Sequence, residues 1–100
     1  METHARKLLV IIGEAALEKS LVHDVRRFGA QGYTITEVRG GGGRGEREAS
    51  WENDRSIEMK IIADASVAEQ IAPHVLATYA PNYAIVMFTS DVGVFRPQKF

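Results

Sequence analysis

Three arginines, Arg39, Arg44 and Arg47, fall within a nine-residue stretch, RGGGGRGER, whose other members are mostly glycine. A guanidinium presents fork-shaped donors that match phosphate or carboxylate. Consecutive glycines let backbone N–H groups turn toward an anion. The chemistry on offer is recognition of a small anionic ligand. The same composition also suits a solvated loop tip whose charges keep it soluble, and residue types alone leave both readings open.

Several other chemistries are excluded or unsupported. No Gly-Lys-Ser/Thr closes a Walker-type phosphate loop, and no Gly-x-Gly-x-x-Gly opens a helix. The GGRGER segment lacks the interleaved aromatics that stack nucleic-acid bases. With Lys+Arg 12 against Asp+Glu 13, the net charge of -1 predicts no general attraction to nucleic acid or to a membrane surface. His4, His23 and His74 lack metal-ligand spacing and read as surface histidines. Glu14, Glu37, Asp64 and Asp91 fall near strand ends without forming an acid–base pair, so no catalytic set can be nominated and the chain is expected not to be an enzyme. The absence of cysteine removes disulfides, thiolate metal sites and a cysteine nucleophile.

Trp51 is the odd residue of the polar stretch, because solubility does not explain a tryptophan there. It either folds back onto its own subunit or anchors a ligand or partner protein.

These residues need a frame to hold them. Leu8-Leu9-Val10-Ile11-Ile12, closed by Gly13, reads as a strand. Leu17, Leu21, Val22, Val25 and Phe28 recur at helical spacing, and Gly29 is placed to end that helix in a left-handed cap. Tyr33 to Val38 alternates as a second strand and runs into the glycine stretch. The connection from Gly40 to Arg55, about 16 residues, is long where most are roughly 4–6. Ile57 to Ala63 is the third strand. Asp64 or Ser66 is placed to cap a second helix, which carries Val67, Ile71, Val75 and Leu76, holds Pro73 as a point of kinking or late entry, and ends near Tyr79. Tyr83 to Thr89 is the fourth strand, with Val92 to Phe95 extending it or starting a fifth.

The order βαββαβ in 100 residues predicts one α+β domain over 1–100: a ferredoxin-like antiparallel sheet with two helices on one face. No apolar run approaches the roughly 20 residues that span a bilayer, and no signal peptide is evident.

The segment GYTITEVRGGGGRGE, residues 32 to 46, resembles the entry to the T-loop of PII signalling proteins. That pattern is Gly-x-Thr-x-x-Glu-Val-x-Gly-x-Gly-Arg, here with one extra glycine. The likeness spans residues 6 to 96. It is greatest to the PII-like branch associated with carboxysomes and bicarbonate transporters, whose compressed turn before the fourth strand is similar to TYAPNYAIVMF.

The resemblance implies a cytoplasmic homotrimer whose inter-subunit clefts bind an adenine nucleotide, ADP or AMP, and which also takes bicarbonate. Gly32, Tyr33 and Thr34 would line the adenine side. Gly40, Gly41, Gly42, Arg44 and Arg47 would face phosphate. Ile62 and Ala63 would close the base pocket, Ala84 and Ile85 would offer backbone groups, and Arg96 would reach a neighbour's phosphate.

The partner implied is a transporter or carbon-fixation protein met through residues 40 to 55, with Trp51 as the contact. The chain would then be associated with a carboxysome or membrane transporter only through that partner. Pro81-Asn82-Tyr83 stands where nitrogen-type PII proteins carry Gly-Asp-Gly-Lys, which favours mono- and diphosphates over ATP with magnesium and 2-oxoglutarate. The loop has no tyrosine for uridylylation and the chain no cysteine for a redox tail. A slow nucleotide hydrolase in the same clefts, and an oligomeric interaction module without nucleotide binding, are the alternatives.

Overall fold

A computed structural model of the chain describes residues 1–40 and 55–100. Its elements are β1 (His4–Glu14), α1 (Glu18–Arg27), β2 (Thr34–Val38), β3 (Ser56–Ala63), α2 (Ala65–Tyr79) and β4 (Ile85–Val94), with short 3-10 turns at Ala15–Leu17 and Pro97–Lys99. The sheet order is β2-β3-β1-β4 and every pairing is antiparallel. This is the ferredoxin-like arrangement expected from the order of elements.

Alternation along the strands sorts the two faces. Leu9 and Ile11 of β1 and Ile57, Met59, Ile61 and Ala63 of β3 pack under Leu17, Leu21, Val25, Ala68, Ile71 and Val75 from the helical layer. Burial of each large aliphatic side chain contributes about 1.5–3 kcal/mol. The opposite face carries Leu8, Val10 and Ile12, with Phe88 registered against Val10 and Val86 against Ile12. Val86 and Phe88 remain 59% and 52% exposed. The two helices pack on the other face, while the turn Pro97–Lys99 reaches Arg6 on this one, whose Nη2 donates to Pro97 O at 3.2 Å.

β1 is longer than its apolar run because β4 pairs with it from His4↔Val94 to Gly13↔Ile85. Ladder hydrogen bonds thus recruit Arg6 and Lys7, which hydrophobicity alone does not mark as strand. β4 is one continuous strand to Val94, and Tyr83 and Ala84 lie before it.

Gly29 adopts φ 105°. The Ala30 N–H donates to Val25 O and the Gly29 N–H to Arg26 O, both at 3.0 Å. These are the paired bonds of a glycine-ended helix cap, in agreement with the sequence expectation. α2 passes through Pro73 without interruption. Asp64 is its N-cap residue, but its side chain makes no capping bond. Its carboxylate faces the Arg6 Nε instead, at 3.4 Å.

Candidate functional site

The residues expected to bind nucleotide fall into two groups at opposite ends of the sheet. At one end, β2 runs out through Val38 into Arg39 and Gly40, and β3 enters through Arg55 and Ser56. Val38 pairs with Ser56, which pairs in turn with Glu14 at the end of β1. Ile85 opens β4 beside Gly13.

Two hydrogen bonds knit this end together. The Ala84 N–H donates to Glu14 Oε2 at 2.8 Å, and the Ala15 N–H donates to Arg55 O at 2.7 Å. The adjacent residues Glu14 and Ala15 therefore tie both the entry of β4 and the return of the long connection. Gly13 is required by close approach, since a Cβ there would lie 2.9 Å from Ile85 Cγ1.

At the other end stand Gly32 and Tyr33, leading into Thr34, which pairs with Lys60. Ile62 and Ala63 close β3 there, registered with Leu8 and Lys7 of β1. The Arg26 guanidinium sits 5.5 Å from the Tyr33 ring centre and constrains it through a cation–π contact. The Arg6 Nη2 donates to Pro97 O at 3.2 Å, holding the segment that carries Arg96. Lys7 pairs with Asp91 at 2.6 Å.

Thr34 and Val38 are four residues apart along β2, a span of about 13 Å at ~3.3 Å per strand residue. A single chain therefore does not bring Gly32, Tyr33, Thr34, Ile62, Ala63 and Arg96 together with Gly40, Ala84 and Ile85. Gly41, Gly42, Arg44, Arg47 and Trp51 lie outside the described residues, as does most of the expected T-loop-like segment about 40–55.

A second polar cluster was not anticipated. Asp24 is 6% exposed. Its Oδ2 meets His74 Nε2 at 3.0 Å and accepts from the Tyr79 hydroxyl. Arg27 Nη2 lies 3.9 Å from its other oxygen. His74 is thus not the solvated histidine that spacing suggested; its ring packs 5.2 Å from that of Phe28. Burial, then the hydrogen bond and charge of Asp24, push the Tyr79 hydroxyl up to about 12. The signal for Asp24 was its position on the stripe of Leu21, Val25 and Phe28, where a solvated carboxylate does not belong.

Among the described residues, no group of three or more histidines and carboxylates is placed to hold a metal ion. No described helix is long and apolar enough to cross a membrane.

With this geometry established, comparison with known proteins is decisive on family. The family model for the nitrogen regulatory protein P-II matches residues 6–99. The chain belongs to the P-II family. Among solved structures, it is similar to a protein assigned to PII-like signalling from Thermus thermophilus, with 40% identity and a TM-score of 0.85, covering 100% of this chain and 99% of that one. It is also similar to CPII of Thiomonas intermedia bound to ADP and bicarbonate, with 26% identity and a TM-score of 0.84 over 99% of this chain and 97% of that one. A second CPII structure, with ADP, AMP and acetate, matches at 25% identity and a TM-score of 0.83, covering 100% and 98%. The PII likeness read from GYTITEVRGGGGRGE is therefore correct, and it extends over nearly the whole chain.

Proposed function

We propose that this P-II family protein is a non-enzymatic, trimeric sensor of adenine nucleotides, with AMP and ADP favoured over ATP, and of bicarbonate. The observation that carries the reading is the division of the candidate site between the two ends of one sheet. A second copy supplies what the first cannot: the end of one subunit bearing Gly40, Ala84 and Ile85 faces the neighbour's end bearing Gly32, Tyr33, Thr34, Ile62, Ala63 and Arg96. The exposed part of the sheet face with Val86 and Phe88 supports self-association, since exposed apolar patches of this kind mark interaction surfaces. The ligands of CPII supply the chemical class: ADP, AMP and bicarbonate.

In this reading Gly41, Gly42, Arg44 and Arg47 complete the phosphate side through backbone N–H groups and charge-assisted bonds. The segment from Gly40 to Arg55 couples occupancy to a partner in inorganic-carbon uptake or fixation, with Trp51 as its anchor. A thermal-shift panel with AMP, ADP, ATP and cyclic AMP, each with and without bicarbonate, tests the reading. A ligand that binds only the folded state raises Tm by mass action. AMP or ADP is expected to raise it, and Arg44→Ala to remove the shift. A flat panel on folded oligomer would leave an interaction module without nucleotide binding.

A further inference from the structure

Glu14 is engaged in a way that its place in the chain does not require. It is the N-cap residue of the 3-10 turn Ala15–Leu17, yet its side chain makes no capping bond to that turn. The carboxylate crosses instead to β4 and accepts the Ala84 N–H at 2.8 Å. The β1–β4 ladder ends at Gly13↔Ile85, so Ala84 is the first residue whose amide the ladder leaves over. Among the described residues, no Lys, Arg or His forms an ion pair with Glu14.

We propose that Glu14 sets the charge preference of the nucleotide site, acting as an internal anion on the Ala84 N–H that a bound phosphate has to displace. The proposal rests on the nucleotide-sensor reading above, in which Ala84 and Ile85 offer backbone groups to the ligand. An anion that takes the Ala84 N–H must exchange with the carboxylate and then remain beside it, since β1 anchors Glu14 at a fixed distance from the β4 entry.

The Glu14–Ala84 bond is exposed in the single chain; in the proposed inter-subunit cleft, where a neighbour would partly exclude water, like charges at such separations repel appreciably. The repulsion grows with each phosphate. AMP meets it least, ADP more, and ATP most. Glu14 is thus a specificity-determining residue that selects ligands carrying few negative charges. It complements the absence of a Gly-Asp-Gly-Lys segment, because Pro81-Asn82-Tyr83 supplies no lysine to offset a triphosphate.

The test is calorimetric titration of the folded oligomer with AMP, ADP and ATP in the wild type, Glu14→Gln and Glu14→Ala. Glutamine keeps an acceptor for the Ala84 N–H and removes only the charge. Alanine removes both, and a comparison of melting temperatures separates loss of fold from loss of charge. In Glu14→Gln the Kd for ATP is expected to fall by roughly tenfold or more relative to that for AMP, with ADP between them.

If all three constants move by one common factor, or none moves, in both folded variants, Glu14 merely secures the start of β4 and the proposal is overturned while the sensor reading stands. If the wild type binds none of the three nucleotides, the sensor reading itself falls, and the proposal with it. The two failures are distinguished by the wild-type titration alone.

Discussion

Asp24 shows how one side chain links the helical layer. Removing its carboxylate leaves His74 Nε2 and the Tyr79 hydroxyl without their shared acceptor. Asp24→Ala is expected to destabilise the fold by about 1–2 kcal/mol, the cost of leaving two part-buried partners without their acceptor, measured by urea unfolding. Tyr79 adds a pH signature. Its hydroxyl ionises near 10 when unfolded and only at about 12 in the fold, so the folded state holds the proton more tightly. The associated stability is complete below pH 10 and is lost as pH rises toward 12. The difference in stability between wild type and Tyr79→Phe, followed from about pH 9 to about pH 12, should therefore shrink with rising pH. A difference that stays constant would show that burial and Asp24 do not hold Tyr79 protonated in the fold. At this scale the sequence was only partly legible: Asp24 lies on the apolar stripe, but its partner His74 is fifty residues away, and spacing cannot report a contact that only tertiary packing creates.

Elements were read more successfully, because their signals are local. The glycine cap at the end of α1 is one such case: Gly29 sits at φ 105° with a neighbour, Val67 Cγ2, no nearer than 3.9 Å to an added Cβ. Gly29→Ala should cost about 1–2 kcal/mol through backbone strain alone, lowering the urea midpoint without changing the denaturant slope. Gly13→Ala acts differently, through the 2.9 Å approach to Ile85 Cγ1. It should cost about 1–3 kcal/mol through overpacking and weaken nucleotide binding as well, because the entry of β4 moves; Gly29→Ala should leave binding unchanged. Strand ends were the least legible feature. His4 to Arg6 joins β1 only because β4 lies alongside, a fact that no window of the sequence contains.

At the scale of the whole molecule, the predictions concern association. Phe88→Glu places a charge on the exposed part of the sheet face and is expected to convert the proposed trimer to monomer, measured by light scattering, and to abolish nucleotide binding with it. A trimer that persists would remove this face from the interface. Arg44→Ala and Arg96→Ala provide a second test, since in the proposed cleft they belong to opposite ends of the sheet. Each homotrimer should lose affinity, and mixed trimers from co-expression should recover part of it, because some clefts then pair two intact ends. The fold was legible here from element order, and the family from one motif. The inter-subunit division of the site came only with the resemblance, because residues that meet only across a subunit boundary carry no common signal within one chain.

The hydrogen bond from the Ala15 N–H to Arg55 O has a mechanical consequence. It fastens Arg55 to the residue next to Glu14, which holds the β4 entry, while at Gly40 no described residue lies within 4 Å of an added Cβ. Arg55 is thereby linked through Ala15 and its neighbour Glu14 to Ala84 at the entry of β4. Amide exchange at Ala15 should accordingly stay slow with and without nucleotide.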